Sequence, residues 1–252
     1  MKDLRSVFNE KGYVILDFEF SHKVIDSILA DLNGRYRYDS EHYNLNNRIE
    51  SAYNLSSGVK ALACDPEILK ALEYLLGGVF FPFQTLNFER GTEQRFHSDW
   101  YHFAPLTNDG MAGVWVAFED IDAENGALSV VPGSHKLPYY FPEDLGLKRG
   151  SKSDPYKYYK LYEDAIDNVI VGNDLKPVLV PMKKGQILIW HSNLIHGGSR
   201  IGNLKRTRYS QVTHYFRKGS LFFSPITSGK SIFKRTFRFP LNIISGRRMF
   251  GF

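Results

Sequence analysis

Cysteine is almost absent from this chain: Cys64 is the only one among 252 residues. That excludes a disulfide framework and any zinc centre made of several thiolates, and it fits a reducing, cytoplasmic setting. Long hydrophobic runs are missing as well. No stretch approaches the roughly 18 apolar residues of a membrane span, and the opening MKDLRSVFNEKGYVILDF lacks the apolar core of a signal peptide. Repeats and low-complexity segments are not found. Acidic residues vanish from residues 217–252, which hold Arg217, Lys218, Lys230, Lys234, Arg235, Arg238, Arg247 and Arg248. With a net charge of +5 overall, that tail carries +8 and the remainder −3. A mildly acidic body argues against nucleic acid as a partner. The tail also holds seven of the 19 Phe. Interleaved in this way, its residues suit an arm packed on the domain, an anionic membrane surface or an acidic carrier protein.

What is present suffices for a full core, since 43% of the residues are hydrophobic. We expect one domain over residues 1–216, with the tail 217–252 packed on it. GYVIL (12–16) reads as a strand, and Ser21 as the cap of a helix whose apolar face is Val24, Ile25, Ile28, Leu29 and Leu32, ended by Gly34. In DPEILKALEYLLGG, Asp65 is the expected N-cap and Pro66 the first helical residue. Ile68, Leu69, Leu72, Leu75 and Leu76 form the buried stripe, and Gly77 lies past the end. From Val79 the pattern turns to strands: VFFPFQTLNFE, MAGVWVAFED, ALSVV, QILIW and TRYSQVTHYF. They are rich in aromatic and β-branched residues, as in an antiparallel sandwich or barrel with the two helices outside. Asn125-Gly126 and Pro132-Gly133-Ser134 mark tight turns. Residues 136–176 are weakly patterned and carry Tyr139, Tyr140, Tyr156, Tyr158, Tyr159 and Tyr162. A segment of that kind is expected to be a lid or binding loop with a short helix around Tyr156–Val169.

The chemistry concentrates in RFHSDWYHFAP, where His97 and Asp99 stand two residues apart. Such a pair taken alone is an ordinary surface feature. On a strand, however, a spacing of two puts both side chains on one face, and a second His from a distant strand would complete a two-histidine, one-carboxylate Fe(II) site. ILIWHSNLIHGGS offers His191 and His196. His196 is preferred, because it follows a buried strand and precedes a Gly-Gly turn that lets backbones approach closely. A zinc site made of His97, His102, His191 and His196 is disfavoured by the five-residue spacings, which alternate faces on a strand. Further on, Arg206, Arg208, Ser210, Val212 and His214 share one expected strand face. An Arg entering such a barrel needs an anionic partner, which a dicarboxylate co-substrate would provide.

FHSDWYHF, VWVAFEDIDAENGALSVVPGSH, GQILIWHSNLIHGGS and RYSQVTHYF, in that order, resemble the phytanoyl-CoA dioxygenase (PhyH) family of Fe(II)- and 2-oxoglutarate-dependent oxygenases. The resemblance runs from about Gly12 to Phe216. It implies a mainly β fold, a double-stranded β-helix or cupin-like jelly roll with flanking N-terminal helices. It also implies His97, Asp99 and His196 as iron ligands and Arg208 as the partner of the 2-oxoglutarate carboxylate. Arg206 shares the expected face, and Arg208 is chosen because its distance to HYF matches the family better. By the same resemblance Trp115 packs near 2-oxoglutarate, and Ser199, displaced by an extra Gly, lies near it. The expected activity consumes O2 and 2-oxoglutarate, releases succinate and carbon dioxide, and hydroxylates a small molecule. Related halogenases carry a small residue where this chain has Asp99, so a carboxylate there favours hydroxylation; desaturation or ring formation needs the same ligands. Trp100 and His102 are candidates to line the substrate pocket, and His135 is chiefly structural with a possible substrate contact. A catalytically inactive metal-binding or interaction protein of cupin type is the rival, against which stands the complete set of four chemical residues.

Overall fold

The computed structural model describes residues 3–18, 22–36, 48–107, 109–147 and 155–248. Ser21, the expected cap, and the side chain of Tyr156 lie outside the described residues. No helix among them is long and apolar enough to cross a membrane.

The chain opens with helix α1 (Leu4–Lys11), strand β1 (Tyr13–Leu16) and helix α2 (His22–Leu32). After the short strand β2 (Arg48–Glu50) come α3 (Ser57–Ala63) and α4 (Pro66–Leu76). Asp65 caps α4 as its sequence requires, its carboxylate accepting from the Glu67 and Ile68 amides at 2.8 and 3.3 Å. Ile68, Leu72 and Leu75 are buried, while Leu69 and Leu76 pack at the edge of the same cluster.

Four long strands follow: β3 (Phe80–Phe88), β5 (Met111–Ala117), β8 (Ile187–His191) and β10 (Ser210–Arg217). With β1 and β2 they make a six-stranded antiparallel sheet in the order β1-β8-β5-β10-β3-β2. Alternation along each strand gives the sheet two different buried faces. Val114, Val116, Ile187 and Ile189 meet Ile25, Ile28, Leu32, Ile68 and Leu72 from the helices. On the other face, Trp115, Leu188, Trp190 and Val212 meet Val130 and Val180. These last two belong to a three-stranded sheet of β6 (Leu128–Val130), β7 (Val178–Val180) and β9 (His196–Gly198), ordered β7-β6-β9. The fold is therefore mainly antiparallel β, with helices covering one face of the larger sheet and the smaller sheet covering the other.

The segment expected as a lid with a short helix contains an 18-residue helix, α5 (Pro155–Gly172). Tyr158, Tyr162, Ile166 and Ile170 recur every fourth residue and bury one stripe against Tyr101, Val131 and Ile195. The basic tail packs on the domain through short strands: β4 (Ala104–Pro105) pairs with β11 (Phe222–Phe223), and β11 with β12 (Phe237–Arg238). Phe223 packs with Trp100 and Ala104, while a hairpin of β13 (Leu241–Asn242) and β14 (Arg247–Arg248) follows.

Candidate metal centre

His97 and Asp99 are not on a regular strand as their spacing suggested. His97 forms an isolated bridge with His196, each backbone amide donating to the other's carbonyl at 2.9 Å. Asp99 opens a 3-10 turn, Asp99–Tyr101. A one-residue bridge followed by a tight turn does the work of a strand face, bringing both side chains beside His196. The doubled bridge needs two backbones in close contact, and Gly197 and Gly198 make it possible. A Cβ on Gly197 would lie 2.8 Å from the Gln94 carbonyl oxygen, and one on Gly198 would lie 2.9 Å from the Glu93 nitrogen. Gly197→Ala is expected to cost about 1–3 kcal/mol of stability by this overpacking and to weaken metal binding by shifting His196. Denaturant unfolding and a metal titration of the variant check it.

The ligand atoms of His97, Asp99 and His196 all lie within 4.8 Å of one another, and the three residues are buried. His97 Nδ1 donates to the Arg95 carbonyl at 2.9 Å and His196 Nδ1 to that of Leu194 at 3.0 Å. Both tautomers are thereby set so that each Nε2 lone pair points inward. Those Nε2 atoms sit 4.0 and 3.9 Å from Asp99 Oδ1. The other carboxylate oxygen, Oδ2, accepts from Trp190 Nε1 at 2.8 Å and faces His214 Nε2 at 3.4 Å. Burial works against the Asp99 charge, but His214, His196 and His97 outweigh it and hold the carboxyl below the usual carboxylate range. Burial, aided by His196, lowers His97 to about 3, so its imidazole is neutral at pH 7. Two imidazoles with inward-facing Nε2 atoms and one carboxylate, converging in a buried pocket, suit a divalent metal of the first transition row. Gln94 Nε2 lies 3.3 Å from His97 Nε2 and 3.3 Å from the Tyr159 hydroxyl, so this amide has to give way when a metal takes that lone pair.

Trp190 reaches Asp99 because Gly113 stands opposite it in the sheet. A Cβ there would fall 2.2 Å from the indole ring. His214 is the other neighbour of Gly113 in register, so one missing side chain leaves room beside both groups that hold Asp99.

Arg208 lies in the same cavity, whose volume is about 450 Å³. The side chain is buried, stacked 5.3 Å from the rings of both Phe88 and Trp115. Nη1 donates to the Gly126 carbonyl at 3.1 Å, and Nε has no hydrogen-bond partner. Burial lowers its pKa to about 10, with Glu119 opposing. A buried guanidinium with an unused donor and, among the described residues, no ion-paired carboxylate is a receptor for an anion. The donor set therefore fits a metal together with an anionic companion.

The model of the phytanoyl-CoA dioxygenase (PhyH) family matches residues 8–208. The chain belongs to this family. It is 29% identical over 142 residues to the peroxisomal phytanoyl-CoA dioxygenase of Bos taurus, covering 54% of this chain and 39% of that protein. A probable alpha-ketoglutarate-dependent hypophosphite dioxygenase of Stutzerimonas stutzeri is 26% identical over 150 residues, 52% of each chain. The chain thus spans about half the length, or less, of these curated relatives. Among solved structures, the non-heme alpha-ketoglutarate-dependent carbocyclase SnoK from nogalamycin biosynthesis superposes with a TM-score of 0.67 at 17% identity, covering 88% of this chain and 86% of that one. The epimerase SnoN from the same biosynthesis gives 0.63 at 19%, covering 91% and 89%. These two share the fold.

Trp115 lines the cavity beside Arg208, and His102 lines it next to Tyr159, with ring centroids 5.1 Å apart. Burial lowers His102 to about 4; Asp99 opposes this and Arg238 and Arg48 reinforce it. Four expectations are corrected. Arg206 lies ahead of β10 in a loop and pairs with Asp122 at 2.9 Å at the surface, which leaves Arg208 alone to enter the cavity. Ser199 does not line the cavity; its backbone amide bonds to Ala127. Trp100 is turned outward by the 3-10 turn and packs on Tyr139, Phe141 and Phe223 of the flanking segments. His135 lies against His191 outside the cavity and faces the Asn9 carbonyl, so its role is structural. His191 bonds Asp109 at 2.9 Å, so the four-histidine zinc set is not assembled.

Sequence reasoning missed Trp190 and His214 as supports of Asp99, and Gln84, which takes His214 Nδ1 at 2.9 Å. His214 had a signal, since it shares alternation with Val212. It also missed the anchoring of α5 to the metal segment. Tyr162 accepts the Ser98 amide at 3.0 Å, and Arg95 forks onto Asp164 and Asp167. Beside that fork, burial raises Glu163 to about 7; Arg95 opposes this, and Asp167 and Asp164 add to it. Folded protein therefore keeps this proton where an unfolded chain, with a Glu pKa near 4.5, has lost it. The associated stability is fully present below that lower value and is lost as pH rises through about 7. The Tm of Glu163→Gln is expected to gain on wild type between pH 5 and 8, and parallel melting curves across that range check it.

Proposed function

We propose that this protein is an Fe(II)- and 2-oxoglutarate-dependent oxygenase, built on a double-stranded β-helix, that hydroxylates an unactivated C–H bond of a small molecule. The observation that carries this reading is one cavity holding both the buried His97, Asp99, His196 trio and the buried Arg208 with its unpartnered Nε. In this reading residues 1–216 are the catalytic domain and the tail completes its wall. His97 and His196 would hold the iron through Nε2 and Asp99 through Oδ1. Arg208 would receive the distal carboxylate of 2-oxoglutarate between Trp115 and Phe88.

When bound, the iron, 2-oxoglutarate and O2 supply the oxidising chemistry, with succinate and carbon dioxide as co-products. The chain's own groups bind, orient and exclude water. Trp190 and His214 keep Asp99 ionised and turned so that Oδ1 faces the histidines. The backbone carbonyls of Arg95 and Leu194 fix the imidazole tautomers. Phe103, Tyr159 and Ile226 wall the part of the cavity left for substrate. Hydroxylation is favoured over halogenation because Asp99 occupies the position a halide would need. An inactive metal-binding role is disfavoured because every ligand is supported by a partner of its own.

The test is succinate release. Incubated in air with Fe(II), ascorbate and 2-oxoglutarate, wild-type protein should form succinate slowly even without its primary substrate, and His97→Ala should form none above the protein-free rate. Folded, iron-loaded wild type that forms none, or an undiminished rate in the variant, would count against the reading.

A further inference from the structure

Resting on the oxygenase reading, we propose that the substrate is an anion, carrying a carboxylate or phosphate group that Arg48 and Arg238 receive on the His102 side of the cavity. The charge balance of the cavity points there first. Among the described residues its lining has three formally charged ones, Arg48, Asp99 and Arg208. Asp99 is committed to the metal and Arg208 to the co-substrate, and the two positive charges of Fe(II) cancel the two negative charges of 2-oxoglutarate. Arg48 is left over. Its side chain is only 20% exposed, and both its Nε and Nη2 bonds go to a single oxygen of Glu50, itself 54% exposed and therefore screened by water. Among the described residues no bond is recorded for Arg48 Nη1. Among the described residues no carboxylate other than Asp99 lines the cavity, so nothing there answers a cationic substrate.

Arg238, an exposed residue of the tail beside the cavity rather than in its lining, supplies the second cation. Its guanidinium lies 5.3 Å over the ring of Phe103, which lines the cavity, and Nη1 donates to the His102 carbonyl at 3.3 Å. Among the described residues it pairs with no carboxylate. Its position is fixed by backbone pairing, β12 to β11 to β4, and β4 begins directly after His102 and Phe103. Ile226 from the same arm lines the cavity too. Arg238 and Ile226 lie beyond the matched family stretch, which ends at residue 208, whereas Arg48 lies within it. Apolar surfaces of Phe103 and Ile226 and neutral polar groups of Gln84, Gln94 and Tyr159 share the cavity with Arg48 and the metal trio. A partly apolar body ending in an anionic group fits this lining.

The experiment uses full-length protein, held anaerobically with Fe(II) and saturating 2-oxoglutarate so that the metal and Arg208 are occupied. Hexanoate, hexyl phosphate and hexanol are titrated in, and binding is read by calorimetry. At least one anion is expected to bind about tenfold more tightly than hexanol, and the preferred anion tells carboxylate from phosphate. Arg48→Gln and Arg238→Gln should each reduce that preference, whereas Arg247→Gln, which removes an exposed charge from the terminal hairpin, should not. Hexanol binding as tightly as both anions, or a preference that survives both substitutions, overturns the proposal. The visible band of the Fe(II)–2-oxoglutarate complex separates the two claims: if it forms and no anion preference exists, only the subsite fails. If it does not form, the oxygenase reading fails and the subsite with it.

Discussion

Asp99→Ala is expected to abolish Fe(II) binding at micromolar metal and to remove all 2-oxoglutarate-dependent succinate formation. Asp99 supplies the only anionic ligand of the trio, and it is 5% exposed. Removing it leaves two imidazoles without a negative charge beside them, which bind a divalent cation far more weakly. It also strands the Trp190 indole N–H and the His214 imidazole, both aimed at the vanished Oδ2. Loss of a supporting partner alone typically costs about 10- to 100-fold in metal affinity, so loss of the ligand should exceed that range. Asp99→Asn separates the two effects. It preserves a carbonyl oxygen for Trp190 while removing the charge, and it should fold as well as wild type yet bind metal nearly as poorly as the alanine variant. Competition against a chelator of known affinity measures both.

Arg208→Met is expected to raise the dissociation constant for 2-oxoglutarate by about 30- to 700-fold, corresponding to about 2–4 kcal/mol for one half of a buried charge pair. The same substitution should raise the Tm of the protein without co-substrate. The guanidinium is 3% exposed, and its Nε finds no acceptor. Methionine fills similar space between Phe88 and Trp115 without the desolvation cost of a charge. Added 2-oxoglutarate should raise the wild-type Tm in proportion to its binding and leave that of the variant unchanged at the same concentration. Fluorimetric melting with and without co-substrate reads all four values. A variant less stable than wild type in the absence of co-substrate would mean that Arg208 is a structural strut.

Much of this site is legible because its parts are local. Asp65-Pro66 announces a helix start by side-chain chemistry alone, and His97, Asp99 and His196 declare themselves through residue type and a Gly-Gly step. Spacing alone suggests that strand alternation brings His97 and Asp99 to one face, whereas the chain uses one bridge and a 3-10 turn, which also turns Trp100 away from the cavity into a buried aromatic cluster. Arg206 departs from its expected face for a related reason, since alternation begins only where the loop becomes a strand at Ser210. Tyr158, Tyr162, Ile166 and Ile170 did carry a helical stripe, but the surrounding tyrosines and charges blurred its length. Trp190, Gly113 and His214 were not legible as a group, since their joint hold on Asp99 depends on register between three strands that are far apart in sequence.

In the proposed reading the trio and Arg208 form one metal and 2-oxoglutarate site. The most direct test is an anaerobic titration of the protein with Fe(II) and 2-oxoglutarate, following the visible metal-to-ligand charge-transfer band. The account predicts a band in wild type, none in His97→Ala or Asp99→Ala, and one in Arg208→Met that appears only at much higher 2-oxoglutarate. No band in folded, iron-loaded wild type, or an unchanged band in Asp99→Ala, would contradict it.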